Sequence, residues 1–264
     1  MKEAKVKLPS SGAEIKKEAG TDDTKGKETI LKKVDTTIQS PPGVTSPASP
    51  TLTKSVFFDE IVPLYEIDIC EIFGGAGDGK SRVAKQIAEE AIERKKKVLY
   101  VDTERGFLKR DLHKLGDSYR YISNLKGVMD LVRNIPSEVD VLILDSVGYP
   151  VLTEWAKMGV NERGNALTQI IAAKDLIKDW AISNGKVAIV INQPDSDFGK
   201  AADYVNRPFG DKGQFVIKEV FLIKKVSSTP TMTKSVIESY RSRHDARGVR
   251  IATVEISDSG VKIS

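Results

Sequence analysis

From about Val56 onward the apolar positions follow two alternating periods. Runs over 65–73, 97–101, 119–122, 139–144 and 186–191 are short and dense in branched and aromatic residues, the pattern of buried strands. Between them the spacing lengthens to that of a helix. It places Val83, Ala84, Ile87, Ala91 and Ile92 on one face of 81–94, and Leu167, Ile170, Ile171, Leu176, Ile177 and Trp180 within 165–183, with a shorter helix over 125–134. Strand–helix alternation predicts an α/β domain whose mainly parallel sheet carries helices on both faces. After about residue 214 the helical spacing disappears. Segments 214–226, 235–242 and 250–256, with a last short strand after Ser259-Gly260, read as an antiparallel extension of the same sheet.

Residues 1–54 break this pattern. They contain no aromatic residue, are rich in Lys, Ser, Thr and Pro, and carry ten lysines against seven acids. Such a segment buries too little apolar area to offset its ordering entropy. The expected organisation is a disordered tail over 1–54, serving as a linker rather than a nucleic-acid tether, and one domain over 55–264. That domain is nearly neutral, so overall charge does not announce a nucleic-acid binder. A single cysteine, Cys70, forms no internal disulfide and reads as a small buried hydrophobe. No apolar run approaches the ~20 residues that cross a bilayer, and no hydrophobic signal core opens the chain. A soluble, cytoplasmic protein without membrane contact is expected.

The segment Gly74-Gly75-Ala76-Gly77-Asp78-Gly79-Lys80-Ser81 satisfies G-x-x-x-x-G-K-[ST] between a predicted strand and a predicted helix. Glycines let the backbone wrap a phosphate, and amides at the helix start point at the anion. Lys80 is expected on the β- and γ-phosphates of ATP, and Ser81 on Mg²⁺. Asp78, an acid inside an anion-binding loop, is expected to point outward or to temper affinity. Three more strand ends carry polar groups. Asp145 closes Val141-Leu142-Ile143-Leu144 and is expected to hold Mg²⁺ through water. Glu104 follows Val101-Asp102-Thr103 and is placed to activate the attacking water. Gln193 follows Ile191-Asn192 and is placed to sense the γ-phosphate or that water.

Together these strand ends resemble the RecA superfamily, most closely the archaeal RadA/RadB recombinase branch. Ile69-Cys70-Glu71-Ile72-Phe73-Gly74, Tyr100-Val101-Asp102-Thr103-Glu104, Leu144-Asp145-Ser146 and Ile191-Asn192-Gln193 carry the likeness, with Glu162-Arg163-Gly164-Asn165 and Arg207-Pro208-Phe209-Gly210 in support. The resemblance implies a RecA-like P-loop ATPase using ATP and Mg²⁺, slow without DNA or a neighbouring subunit. It implies two loops facing single-stranded DNA, about 149–164 and 194–213, with Arg163, Lys200, Arg207 and Lys212 as contacts. A homo-oligomer or a recombinase partner is also implied. Where the family carries Gly after its catalytic Glu, this chain has Arg105, and Arg110 is the candidate to pack on adenine. Cations at Lys224, Lys225 or in 241–247 are candidates to act on a neighbour's ATP. The function implied is a DNA-dependent ATPase of recombination and repair, as recombinase paralogue or mediator. The alternatives are a KaiC-like regulatory ATPase with protein partners and a nucleotide-gated adaptor with little hydrolysis.

Overall fold

A computed structural model describes residues 68–193, 216–242 and 247–263 of the protein. The expected tail over 1–54 lies outside the described residues, as does the chain up to Ile67. The described strands form one sheet of nine, in the order β3-β2-β4-β5-β1-β6-β7-β8-β9. Strands β1 (Ile69–Phe73), β2 (Val98–Asp102), β3 (Tyr119–Tyr121), β4 (Val141–Asp145), β5 (Val187–Asn192) and β6 (Glu219–Ser228) pair in parallel. Strands β7 (Met232–Arg241), β8 (Arg250–Ser257) and β9 (Gly260–Ile263) continue from β6 as an antiparallel meander. The mainly parallel sheet with an antiparallel extension is the architecture that the hydrophobic periods predict.

The central strands β1, β2, β4 and β5 are buried along their whole length, because helices cover both faces. Successive side chains point to opposite sides, so each strand feeds two cores. On one side Cys70, Ile72, Tyr100, Ile143, Ile189 and Ile191 meet Val83, Ala84 and Ile87 of helix α1 (Lys80–Glu93). This core runs on beneath Phe221, Ile223, Ile237, Val254 and Ile256, joining the antiparallel strands to the parallel ones. On the other side Phe73, Leu99, Val101, Leu142, Leu144 and Val190 meet the remaining long helices. Short helix α2 (Lys109–Leu112) precedes β3. Helix α3 (Leu125–Arg133) starts where the Asn124 side chain accepts the Gly127 amide at 2.8 Å.

After the one-turn helix α4 (Tyr149–Leu152) comes helix α5 (Val160–Asn184). It begins five residues earlier than the apolar spacing predicts. Gly164 and Asn165 are weak helix formers, but the Glu162 carboxylate accepts the Gly159 amide at 2.7 Å and starts the helix ahead of them. The helix ends at Gly185, in the left-handed region at φ 59°, with the Lys186 amide on the Ala181 carbonyl. Among the described residues no helix is long and apolar enough to cross a membrane. Cys70 is buried, and that burial, with Glu219 and Glu71 nearby, pushes its thiol up to about 12, as an unreactive core position requires.

Among the described residues, the most deeply buried ion pair joins a helix to the central strand. Lys174 of α5 donates to both oxygens of Glu71 on β1, each at 3.1 Å, and the Asn192 side chain donates to the same carboxylate at 3.0 Å. The two charged side chains are 1 % and 0 % exposed. Removing one partner strands the other's charge in the core. Lys174→Ala is expected to cost about 3–5 kcal/mol of stability, read by urea unfolding, whereas Glu71→Leu with Lys174→Met recovers most of it.

Candidate functional site

The carboxyl ends of β1, β2, β4 and β5 lie along one edge of the sheet, and the polar residues singled out in the sequence sit there. The β1 end turns through Gly74–Gly79 into α1. Gly79 adopts φ 104°, and a Cβ there would lie 2.0 Å from Ile256 Cδ1. A Cβ on Gly74 would lie 2.3 Å from the Ile223 carbonyl oxygen. Gly74 is therefore demanded by the backbone packed against it, and Gly79 by its left-handed conformation. The amides at the start of α1 have no preceding turn of carbonyls to bond, which leaves a helix N-terminus open to an anion.

The Lys80 ammonium donates to the carbonyls of Gly74 and Gly75, both at 2.8 Å, so it lies folded over the loop. Burial lowers its pKa, while Glu104, Asp145 and Asp78 oppose that shift. Asp78 does not point outward. Its carboxylate accepts the Gly75 amide at 2.7 Å and staples the loop across three residues. The Asp78 carbonyl in turn accepts the Ser235 hydroxyl at 2.8 Å, which ties the loop to β7.

Glu104 and Gln193 meet directly. The Gln193 amide donates to Glu104 Oε1 at 2.7 Å, and the Ser146 hydroxyl donates to the same oxygen at 2.9 Å. The turn carrying Glu104 is held by Asp102, whose Oδ1 accepts the amides of Glu104 and Arg105, both at 2.8 Å. Arg105 stands at φ 58°, in the left-handed region where glycine is favoured. Its guanidinium lies 4.7 Å from the centre of the Tyr121 ring, a contact that glycine would lack. Thr103 ties β2 to β4: its amide donates to the Asp145 carbonyl, and its hydroxyl bonds the backbone of Ser146.

Asp145 is buried at the end of β4. Tyr100 donates its hydroxyl to Asp145 Oδ2 at 2.7 Å, and Oδ1 has no hydrogen-bond partner. Burial pushes its pKa up to about 6, the hydroxyls of Tyr100 and Ser81 pull the other way, and the charges of Glu104 and Asp102 add to the rise. A buried carboxylate oxygen left without a donor, beside Ser81 and Lys80, fits a hydrated divalent cation, so the residues suit magnesium. Ser81 and Asp145 would hold it.

Lys80, Ser81, Glu104 and Gln193 line one cavity of about 450 Å³ with Ala76, Gly77, Gly79 and Arg82. Its far wall escaped the sequence reading. It is the β6–β7 turn, Thr229 to Thr233, with Ile256, Ser257 and Asp258 at the end of β8. Turn residues were legible there, but not that β6 would pair beside β1 and carry the turn to the cavity lined by Gly77 and Gly79. Tyr100, Ser146 and Asp102 also went unread as site residues.

Other candidates fall elsewhere. Arg110 lies on α2, and its side chain is outside the described residues. Arg163 is half-buried in the first turn of α5. Its Nε donates to the Trp155 carbonyl at 3.1 Å, and its guanidinium sits 5.2 Å from the centre of the Trp155 ring. Lys200, Arg207 and Lys212 lie outside the described residues, as does the whole second expected loop. Lys224 pairs with Glu238 across β6 and β7 at 2.8 Å, and Arg247 stacks 4.5 Å from the centre of the Tyr240 ring.

The raised pKa of Asp145 has a measurable sign. Its folded value of about 6 exceeds the ordinary 3.8, so protonation favours the folded state. That contribution is full below about pH 4 and is lost as pH rises through about 6. Asp145→Asn is therefore expected to stabilise the metal-free protein at neutral pH by roughly 3 kcal/mol, with the gain vanishing towards about pH 4. Thermal unfolding in chelator across that range reads it.

No known family profile matches the chain, and no curated protein sequence matches it. Solved structures do. The crystal structure of the RadB recombinase superposes with a TM-score of 0.54 over 73 % of this chain and 89 % of its own, at 20 % sequence identity. At that identity the likeness establishes architecture: the chain has a RecA-like fold, with its cavity at the carboxyl edge of the parallel strands.

Proposed function

We propose that this chain binds ATP with Mg²⁺ and hydrolyses it, as a DNA-dependent ATPase of recombination or repair in the role of recombinase paralogue or mediator. One observation carries the reading: a stapled glycine loop, a lysine, a serine, a glutamate and a glutamine line a single cavity above a buried aspartate. The likeness to a RadB recombinase supports the recombination role. One RecA-like domain over 55–264 behind a linker over 1–54 remains our reading of the organisation.

The loop amides and the Lys80 ammonium neutralise the phosphates. Lys80 exchanges the carbonyls of Gly74 and Gly75 for phosphate oxygens, so ligand replaces a bond that the loop already makes with itself. Magnesium, held by Ser81 and Asp145, supplies charge stabilisation to the phosphate oxygens when bound. Glu104 accepts a proton from water as the water oxygen bonds to the γ-phosphorus, and ADP leaves with the electron pair of the broken P–O bond. Gln193 donates to Glu104, so a change in its partner at the γ-phosphate reaches the segment after β5, where the second DNA loop is expected. Arg163, Lys200, Arg207 and Lys212 are our candidate contacts to single-stranded DNA, and Arg110 our candidate at adenine. A homo-oligomer or a recombinase partner would complete the charge around the phosphates.

A second reading, a nucleotide-gated adaptor with little hydrolysis, draws support from Glu104 itself. Its Oε1 already accepts two hydrogen bonds, from Gln193 and Ser146, which occupy the oxygen that a water would have to bond. Turnover separates the two. Lys80→Ala is expected to abolish magnesium-assisted ATP binding. Glu104→Gln is expected to keep binding and lower turnover by about 10²–10⁴-fold. Single-stranded DNA is expected to raise the wild-type rate and to bind less tightly as salt increases. A wild-type rate unmoved by DNA and equal to that of Glu104→Gln leaves the adaptor reading.

A further inference from the structure

Tyr100 is the largest fully buried side chain among the described residues. It stands on β2 two residues before Asp102, which registers with Asp145 on the neighbouring β4. Its ring belongs to the core under α1 and meets Phe107 edge-on at 5.5 Å. Phenylalanine would fill that space equally. What the hydroxyl adds is one bond, 2.7 Å long, to Asp145 Oδ2. That length is ordinary for a hydroxyl donor and falls within the range for a carboxylate acceptor.

The other oxygen of the same carboxylate is buried and unpartnered. A buried acceptor without a donor is costly, and the great majority of buried polar atoms avoid that condition. The asymmetry has a purpose if something outside the chain takes Oδ1. Without the Tyr100 bond the carboxylate would be freer to turn about its last side-chain torsion, or to swing towards the Lys80 ammonium, which feels its charge. Tyr100 holds one oxygen and thereby fixes where the other stands.

We propose that Tyr100 is a positioning residue for Asp145: its hydroxyl clamps Oδ2 so that Oδ1 alone is presented to the hydration shell of the nucleotide's magnesium ion. This rests on the reading of the cavity as an ATP site. Tyr100 touches neither nucleotide nor metal and acts through Asp145. Its effect therefore falls on the magnesium-dependent part of nucleotide binding, and a packing defect would not be so selective.

The test uses the full chain and a fluorescent ATP analogue, titrated in chelator and again across magnesium concentrations. The proteins are the wild type, Tyr100→Phe, Asp145→Asn and the double variant. Tyr100→Phe is expected to leave affinity in chelator unchanged and to raise the magnesium concentration for half-maximal enhancement by about ten-fold, the scale of one hydrogen bond to a charged group. In the Asp145→Asn background the same change is expected to do nothing more. Wild-type magnesium dependence in Tyr100→Phe overturns the proposal, and so does an equal loss of affinity with and without magnesium. Should the wild type show no magnesium-assisted binding at all, the nucleotide reading falls and takes this inference with it. Should Tyr100→Phe fail to fold, the Tyr100 hydroxyl proton is followed by NMR in tyrosine-labelled wild type. Slow exchange that persists when magnesium and nucleotide are added supports the clamp, and its loss on addition refutes it.

Discussion

Parallel strands that pair in register must end together, and most of this protein's chemistry follows from that constraint. Phe73 lies beside Asn192, and Asp102 beside Asp145, so the turns that leave these strands emerge along one line. Side chains from positions far apart in sequence are thereby brought within hydrogen-bond distance without any flexible segment having to find its place. Gln193 reaches Glu104 across 89 residues of chain, and Ser146 reaches it across 42. Each is carried there by a strand buried on both faces, which is the stiffest support a small α/β domain offers.

The same edge concentrates charge, and the fold spends donors to keep it in order. Asp102 is satisfied by two amides and the Tyr119 hydroxyl. Glu104 is satisfied by an amide side chain and a hydroxyl. One layer deeper, Glu71 is satisfied by Lys174 and Asn192, and Asn192 also accepts the Gln193 backbone amide at 3.1 Å. The buried ion pair and the candidate sensor are thus bonded through a single residue. Asp145 stands apart in this group, with one oxygen provided for and one left over.

The architecture was readable because burial on two faces writes continuous apolar runs, and helical packing writes a different period. The glycine turn between β1 and α1 was readable because its glycines and Lys80 stand between a dense apolar run and a helical spacing. Reading failed where geometry depends on distant pairing. Asp78 looked like a misplaced acid until the loop closed and set its carboxylate on the Gly75 amide. Arg105 looked like a departure until Tyr121 was found beneath its guanidinium. The start of α5 was missed because the Glu162 cap outweighs two poor helix formers. Tyr100 read only as part of a hydrophobic strand, since nothing local to 98–102 reveals which strand lies next to it. The wall from Thr229 to Thr233 was invisible for the same reason.

The packing of Ile256 against Gly79 has a consequence for how this molecule is divided. That isoleucine belongs to β8, near the far end of the antiparallel meander, yet its side chain fills the space where a larger loop residue would go. Ser235 on β7 grips the same loop from the side. The meander is therefore a mould against which the loop is cast, and a shortened or chimeric version that keeps only the parallel half would inherit the motif without its shape.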